Sequence, residues 1–297
     1  MSELDYGAQN PHVIGTLMKE AVRRAIVAIR AQRFTFEAEV KGRRASGKPD
    51  LVTNADHEAQ RVYIKLLRDW FPTYGIVAEE DALSVPCTHG PHDLWFTVDP
   101  LDGTSAFVRR QSHGVGTMLA LVRDGQVIAA CVGDVMTQEV YALRPDSTVV
   151  FRISEFGFAE ALSIDAERPL SKQHVLLRER PAAYAPRTRR VLAPEGGLFQ
   201  DIETTSGSIG ISIARLWKGE VGAAVFLPYR NTPWDTCPVI GLSRALGFVF
   251  LRLDPDGGPP TLFELPVTTE PYHMDHELML IHQSRLDEVA AWWSRNP

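Results

Sequence analysis

Cysteine is scarce in this sequence: Cys87, Cys131 and Cys237 stand far apart, with no CxxC spacing. A scattered, odd-numbered set excludes a disulfide framework and a zinc knuckle, and the three read as reduced thiols. Lysine and arginine form no tract, and the net charge is −6. The electrostatic footprint of a general nucleic-acid binder is therefore missing, so no nucleic-acid polymer is expected as a partner. No apolar run reaches about 18 residues, which argues against a membrane-spanning helix. Glu3 and Asp5 stand where a secretory leader has basic residues, so a cytoplasmic location and no membrane partner are expected. Repeats and low-complexity tracts are lacking too, and Asp254 to Pro260 is a turn-rich loop.

With 297 residues and 44% hydrophobic content, the chain can bury a large core as one domain or two closely joined lobes. Between Pro11 and Phe34 the positions Val13, Ile14, Leu17, Met18, Ala21, Val22, Ala25, Ile26 and Ile29 keep the three-and-four spacing of an amphipathic helix. A second helix is predicted from Asp56 to Trp70, ending before Pro72. Strands are predicted at Gly75 to Ala78 and at Leu94 to Val98. Met118 to Arg123 and Gln126 to Val132 form a hairpin across Asp124-Gly125, and Glu139 to Leu143 adds a third strand. After Arg144-Pro145, short strands at Val175 to Arg178, Thr188 to Ala193, Gly222 to Phe226 and Phe248 to Leu253 alternate with helices at Ile209 to Lys218 and Thr236 to Leu246. A lobe boundary is placed near residues 145–160.

The stretch "FTVDPLDGTSAF" carries the chemistry. A strand delivers Asp99 to its end, Pro100 forbids further ladder pairing, and Asp102-Gly103 turns the chain so that Thr104 or Ser105 caps a helix. An Asx turn with a helix cap explains the same residues without function. Other acids weigh against that reading: Glu79-Glu80-Asp81 ends the preceding strand, Asp56 opens a helix, and Asp235 precedes another. Together they supply the oxygen ligands that a hard cation such as Mg²⁺ requires, with too few nearby His or Cys residues for a softer metal. Unpaired N–H groups at the turn can meet a phosphate beside such a metal.

These residues resemble the inositol monophosphatase family, within the magnesium-dependent, lithium-sensitive phosphatases. The resemblance rests on "DLVTNAD" (Asp50 to Asp56), "VAEED" (Val77 to Asp81), "WFTVDPLDGTSAF" (Trp95 to Phe107), Gly207-Ser208 and Trp234-Asp235, in order along most of the chain. It implies an α/β fold, a layered αβαβα sandwich over about residues 11–293. A lobe of about 11–152 would hold the metal and phosphate site, and a lobe of about 153–293 the substrate side. The implied metal ligands for two or three Mg²⁺ ions are Glu79, Asp99, Asp102, Asp235 and the carbonyl of Leu101. Asp56 and Thr104 would orient or deprotonate water, with Glu79 beside them and Glu80 behind. Asp102, Gly103, Thr104, Ser105, Gly207 and Ser208 would meet phosphate or substrate. The implied activity is hydrolysis of a small phosphorylated metabolite by a homodimer.

Departures from the family pattern cluster away from the acids. Ala78 replaces a glycine, and Pro238 follows Trp234-Asp235 as a first-turn proline. Pro228 and Gly222 replace acidic residues expected on the substrate side. Other segments resemble histidinol-phosphate phosphatases and adenosine bisphosphate nucleotidases of the same superfamily, so inositol phosphate is one substrate among these. Arg109, Arg110 and Arg230 are solvated or meet a second anionic group. A serine hydrolase reading from Gly210 and Ser212 lacks its second glycine and falls within a helix. A zinc reading from His273, His276 and Glu277, or from His89, His92 and Asp93, lacks further ligands. A pseudophosphatase that binds Mg²⁺ and a phosphorylated ligand without turnover is the non-enzyme alternative.

Overall fold

The computed structural model describes residues 5–43, 47, 49–193, 195–254 and 258–296; Glu3 and residues 255–257 of the turn-rich loop lie outside them. Asn10 caps the first helix by accepting from the Val13 amide, and Pro11 sits at its first position with φ already suited to a helix. This helix, α1 (Pro11–Ala31), buries Ile14, Met18, Ala21, Val22, Ala25, Ile26 and Ile29 along one face. A two-stranded hairpin follows, β1 (Ala38–Arg43) with β2 (Pro49–Thr53). Next comes α2 (Asn54–Trp70), whose Thr53 and Asp56 form a capping box.

An eight-stranded sheet is then laid down. Its strands are β3 (Gly75–Ala78), β4 (Ser84–Val85), β5 (Leu94–Asp102), β6 (Gly116–Arg123), β7 (Gln126–Asp134), β8 (Val140–Leu143), β9 (Phe151–Ile153) and β10 (Ala159–Ala161). A short helix α3 (Thr104–Val108) interrupts it after β5. The order across the sheet is β10-β9-β8-β7-β6-β5-β3-β4, with β3 parallel to β5 and an antiparallel meander beyond. Asp124 and Gly125 turn the β6–β7 hairpin at φ 49° and 76°, as a two-residue turn matching strand twist demands. The sheet runs on to Ala161, one residue past the end of the expected boundary region.

The remaining chain supplies β11 (His174–Leu177), α4 (Pro186–Val191), β12 (Asp201–Thr204), α5 (Ile209–Trp217), β13 (Ala223–Phe226), β14 (Arg230–Asn231), α6 (Pro233–Ala245), β15 (Phe248–Leu253), β16 (Thr261–Phe263), β17 (Tyr272–His273), β18 (Glu277–His282) and α7 (Leu286–Arg295). Six of these strands form a second sheet in the order β12-β11-β13-β18-β15-β16. Three buried cores define five layers. The first joins α1 and α2 to the outer face of the eight-stranded sheet. The second lies between the two sheets around α5 and α6, and the third covers the outer face of the six-stranded sheet with α4 and α7. The αβαβα sandwich expected from the sequence is the architecture observed.

Two expected elements differ. Thr188 to Ala193 is not a strand: Pro186 starts α4, and Arg187, Thr188 and Val191 bury at helical spacing. Helix α6 begins at Pro233, three residues before the expected start, so Pro238 is not in its first turn but inside the helix. There its ring removes one backbone donor, a disruption that the surrounding buried residues Cys237, Val239, Ile240 and Leu242 absorb.

Candidate active site

Side chains alternate along a strand, so residues three apart face opposite sides. Asp99 and Asp102 escape this rule. Asp99 is paired with Met118 and Asp102 with Gly116, three steps along β5 against two along β6. The additional residue, at Pro100-Leu101, is a bulge, and it brings both carboxylates to one side. The expectation that Pro100 ends the ladder fails for the same reason: the missing N–H falls at the bulge, and pairing resumes at Asp102. The cap differs as well. Gly103, at φ +90°, is the N-cap of α3, in place of Thr104 or Ser105. A Cβ there would lie 2.4 Å from the Gly114 carbonyl oxygen, so only glycine fits.

Asp235 reaches the same place from the first turn of α6, with the Thr232 hydroxyl donating to its Oδ2 at 2.7 Å. Carboxylate oxygens of Asp99, Asp102 and Asp235 lie within 4.8 Å of one another, the one such metal-compatible group among the described residues. Asp99 and Asp102 are buried. The Oδ1 atom of Asp99 has no hydrogen-bond partner. Three acids converging around an unpartnered buried oxygen are costly unless a cation or protons join them.

Asp102 is anchored from the other half of the chain. It accepts from the Ser208 hydroxyl, from the Ile209 amide at 3.0 Å and from the Gly210 amide at 2.8 Å. Ser208 is fully buried, caps α5 by accepting from the Ile211 amide, and donates its own amide to Gly114 at 2.8 Å. The structure thus sets Ser208 against Asp102 and Gly207 against Gly103 and Gly114.

Asp56 is buried in the α2 capping box. Thr104 Oγ1 lies 3.1 Å from both Asp56 Oδ1 and the Leu101 carbonyl oxygen, and with one hydrogen it can donate to only one of them. Glu79 is not among the carboxylates that meet within 4.8 Å. Lys41 of β1 donates to Glu79 at 2.8 Å and to Glu80 at 2.7 Å, and Gln60 holds the Glu80 backbone at both ends. Lys41 escaped the sequence reading because nothing in the polar stretch from Ala38 to Arg43 marks its partner.

Burial, followed by the charges of Glu79, Asp102 and Asp235, holds Asp99 well above the usual carboxylate range. Asp235 is pushed up to about 7 by burial and then by Asp102 and Glu79. Glu80 is likewise raised to about 7, by burial and then Glu79. Burial raises Asp56 against the pull of its Thr53 and Thr104 hydrogen bonds. Burial is the cause these four acids share, and neighbouring carboxylates add to it at Asp99, Asp235 and Glu80.

The rival constellations do not assemble. Ser212 is the fourth residue of α5, its hydroxyl donating to the Ser208 carbonyl at 2.6 Å. Glu277 accepts from Ala185 and Thr188 at the start of α4, and His276 pairs with Asp275. His92 pairs with Asp124. Gly222, expected on the substrate side, packs on Gln173 at the opposite end of β13 from Tyr229. Arg109, Arg110 and Arg230 are exposed. No helix among the described residues is long and apolar enough to cross a membrane.

The layers and the acid cluster define a phosphatase-type α/β sandwich. A solved structure titled IMPase/NADP phosphatase complexed with NADP and Ca²⁺ shares this fold with a TM-score of 0.71 at 18% identity, covering 98% of each chain. The inositol-1-monophosphatase of Rhizobium meliloti is 38% identical over 68% of this chain and 71% of its own. The match to the Nus factor SuhB of Vibrio cholerae, at 34% identity, spans 33% of this chain and 35% of that protein. The profile of the inositol monophosphatase family matches residues 12–290. The chain belongs to the inositol monophosphatase family and is a phosphoric monoester hydrolase.

Proposed function

We propose that this chain hydrolyses a small-molecule phosphate monoester with the help of Mg²⁺ held by Asp99, Asp102 and Asp235. The single observation that carries this reading is the buried, unpartnered Asp99 Oδ1 inside a three-carboxylate cluster. An all-oxygen donor set fits a hard divalent cation. Glu79 and the Leu101 carbonyl complete the ligand set in this reading, Glu79 as its weakest member because Lys41 already neutralises it. Bound there, Mg²⁺ lowers the pKa of water and shields the phosphate charge.

The chain's own groups supply orientation. Thr104 accepts a hydrogen bond from the attacking water and donates to Asp56, so the water's proton is drawn toward a buried carboxylate whose affinity for it is raised. Gly103 and Thr104 offer backbone N–H groups to the phosphate, and Ser105 adds a hydroxyl at the same turn. Gly207 and Ser208 act on substrate through Asp102. The substrate is inositol-phosphate-like, with histidinol phosphate and a 3′,5′-bisphosphate nucleotide as the runners-up; the solved IMPase/NADP phosphatase adds NADP to the set to be tried.

A phosphate-release screen over inositol phosphates, histidinol phosphate, adenosine 3′,5′-bisphosphate, NADP and sugar phosphates, with Mg²⁺ or with EDTA, tests this. Release that requires Mg²⁺ is expected. Ligand-dependent thermal stabilisation with no release from any compound would establish the binding-only alternative instead.

A further inference from the structure

Strand β11 of the six-stranded sheet delivers Arg178 to the turn that starts α5. Its Nη1 donates to the Ser208 carbonyl oxygen at 2.9 Å and to Ser212 Oγ at 2.7 Å, and its Nη2 donates to the Gly207 carbonyl oxygen at 2.7 Å. The donors of the same turn point the other way. The Ser208 hydroxyl and the Ile209 and Gly210 amides all reach Asp102. One short piece of chain therefore presents its acceptors to a cation and its donors to a carboxylate.

Two features make this arrangement specific. Gly207 stands at φ +89°, and a Cβ there would lie 2.4 Å from the Gly114 carbonyl oxygen, so the turn that exposes consecutive carbonyls needs glycine. The planar guanidinium has two nitrogens to span those carbonyls, whereas a lysine ammonium is a single point of charge. Hydrogen bonds linked in series polarise one another, so a cation on the carbonyl side strengthens the amides on the far side.

We propose that Arg178 is a positioning residue for the metal centre: by clamping the Gly207-Ser208 turn it fixes the donors that hold Asp102 in its ligating orientation. The proposal rests on Asp102 being a metal ligand. It also makes the six-stranded sheet a mechanical support for a carboxylate of the eight-stranded one, across the central core.

The test compares wild type, Arg178→Lys and Arg178→Met by Mg²⁺ titration calorimetry, thermal melting, kcat and KM, and hydrogen exchange. Arg178→Met should bind Mg²⁺ about 10 to 100 times more weakly, the range for a lost outer partner of a metal ligand. Its kcat should fall with little change in KM, exchange at Ile209 and Gly210 should quicken, and Arg178→Lys should lie between. A lower melting temperature with unchanged Mg²⁺ affinity, kcat and KM means packing alone and overturns the proposal. If Arg178→Met does not fold, Arg178→Lys decides: weaker Mg²⁺ binding supports the clamp, and wild-type binding overturns it. Wild type that binds no Mg²⁺ signals failure of the metal reading itself. Hydrogen exchange then still settles the clamp, through faster or equal exchange at Ile209 and Gly210 in the variant.

Discussion

Residues 94–102 carry two of the site's charges, whereas residues 207–212 at the start of α5 contain no ionisable side chain and supply hydroxyl and amide donors. The first segment is buried throughout and ends in a bulge that aligns its acids. The second is a glycine turn and a helix start that hold one of those acids in place. The first segment concentrates charge and the second restrains it. Asp102 belongs to both arrangements; Asp235, held by the Thr232 hydroxyl within its own segment, does not.

That contrast sets the largest expected effects. Asp102→Asn and Asp235→Asn should each lower turnover at least about a hundredfold, roughly 2.7 kcal/mol in barrier, measured as Mg²⁺-dependent phosphate release. They should part company in stability. An Asn at 102 sets an amide nitrogen against donors from Ser208 and Gly210 and should lower the melting temperature of the metal-free protein, at a cost of about 1–3 kcal/mol. Asn at 235 removes a like charge and should raise it. Equal shifts for the two variants would mean that Asp102 is held no differently from Asp235.

Thr104→Val should cost about tenfold to a hundredfold in kcat with KM nearly unchanged if Thr104 links water to Asp56 as proposed, because it removes the hydroxyl that contacts Asp56. Ser208→Ala should weaken Mg²⁺ binding about tenfold, as an outer partner of Asp102. It should also cost about 1 kcal/mol of stability through the lost α5 cap. Calorimetry and thermal melting read the two losses separately.

A pH effect follows from the burial of these acids beside one another. Asp235 and Glu80 sit at about 7 in the folded protein, against about 4 in an unfolded chain. The folded state therefore holds these protons more tightly. The associated stability is complete below about pH 4 and is lost as pH rises through about 7. In EDTA the melting temperature should fall across that window, and Mg²⁺ should flatten the fall. A profile in EDTA that is already flat would remove the case that these carboxylates are raised in the folded protein. The smallest effect belongs to the zinc alternative: His273, exposed on β17, should be replaceable by Ala within about 0.5 kcal/mol and with Mg²⁺ affinity unchanged.

Reading from residues alone reached the first segment far better than the second, for a physical reason. Acids separated by a proline and followed by Gly-Thr are a local pattern, and the α1 periodicity and the Asp124-Gly125 turn are local as well. The anchors of Asp102 lie more than a hundred residues away in sequence, and no local rule pairs a carboxylate with an amide at that range. Lys41 and Arg178 were missed on the same account: each is an ordinary cation until the fold sets it against Glu79 or against two carbonyls. The expected strand at Thr188 to Ala193 failed because Pro186, just outside the stretch, fixes a helical start. Pro238 was misplaced because the helix begins earlier, at a proline better suited to its first turn.

The most direct test is anomalous diffraction from crystals soaked in Mn²⁺, a scattering substitute for Mg²⁺. A peak at bonding distance from oxygens of Asp99, Asp102 and Asp235 is the predicted result. Clear density for these side chains with no peak among them, or a peak only at histidines such as His273 and His276, would contradict it.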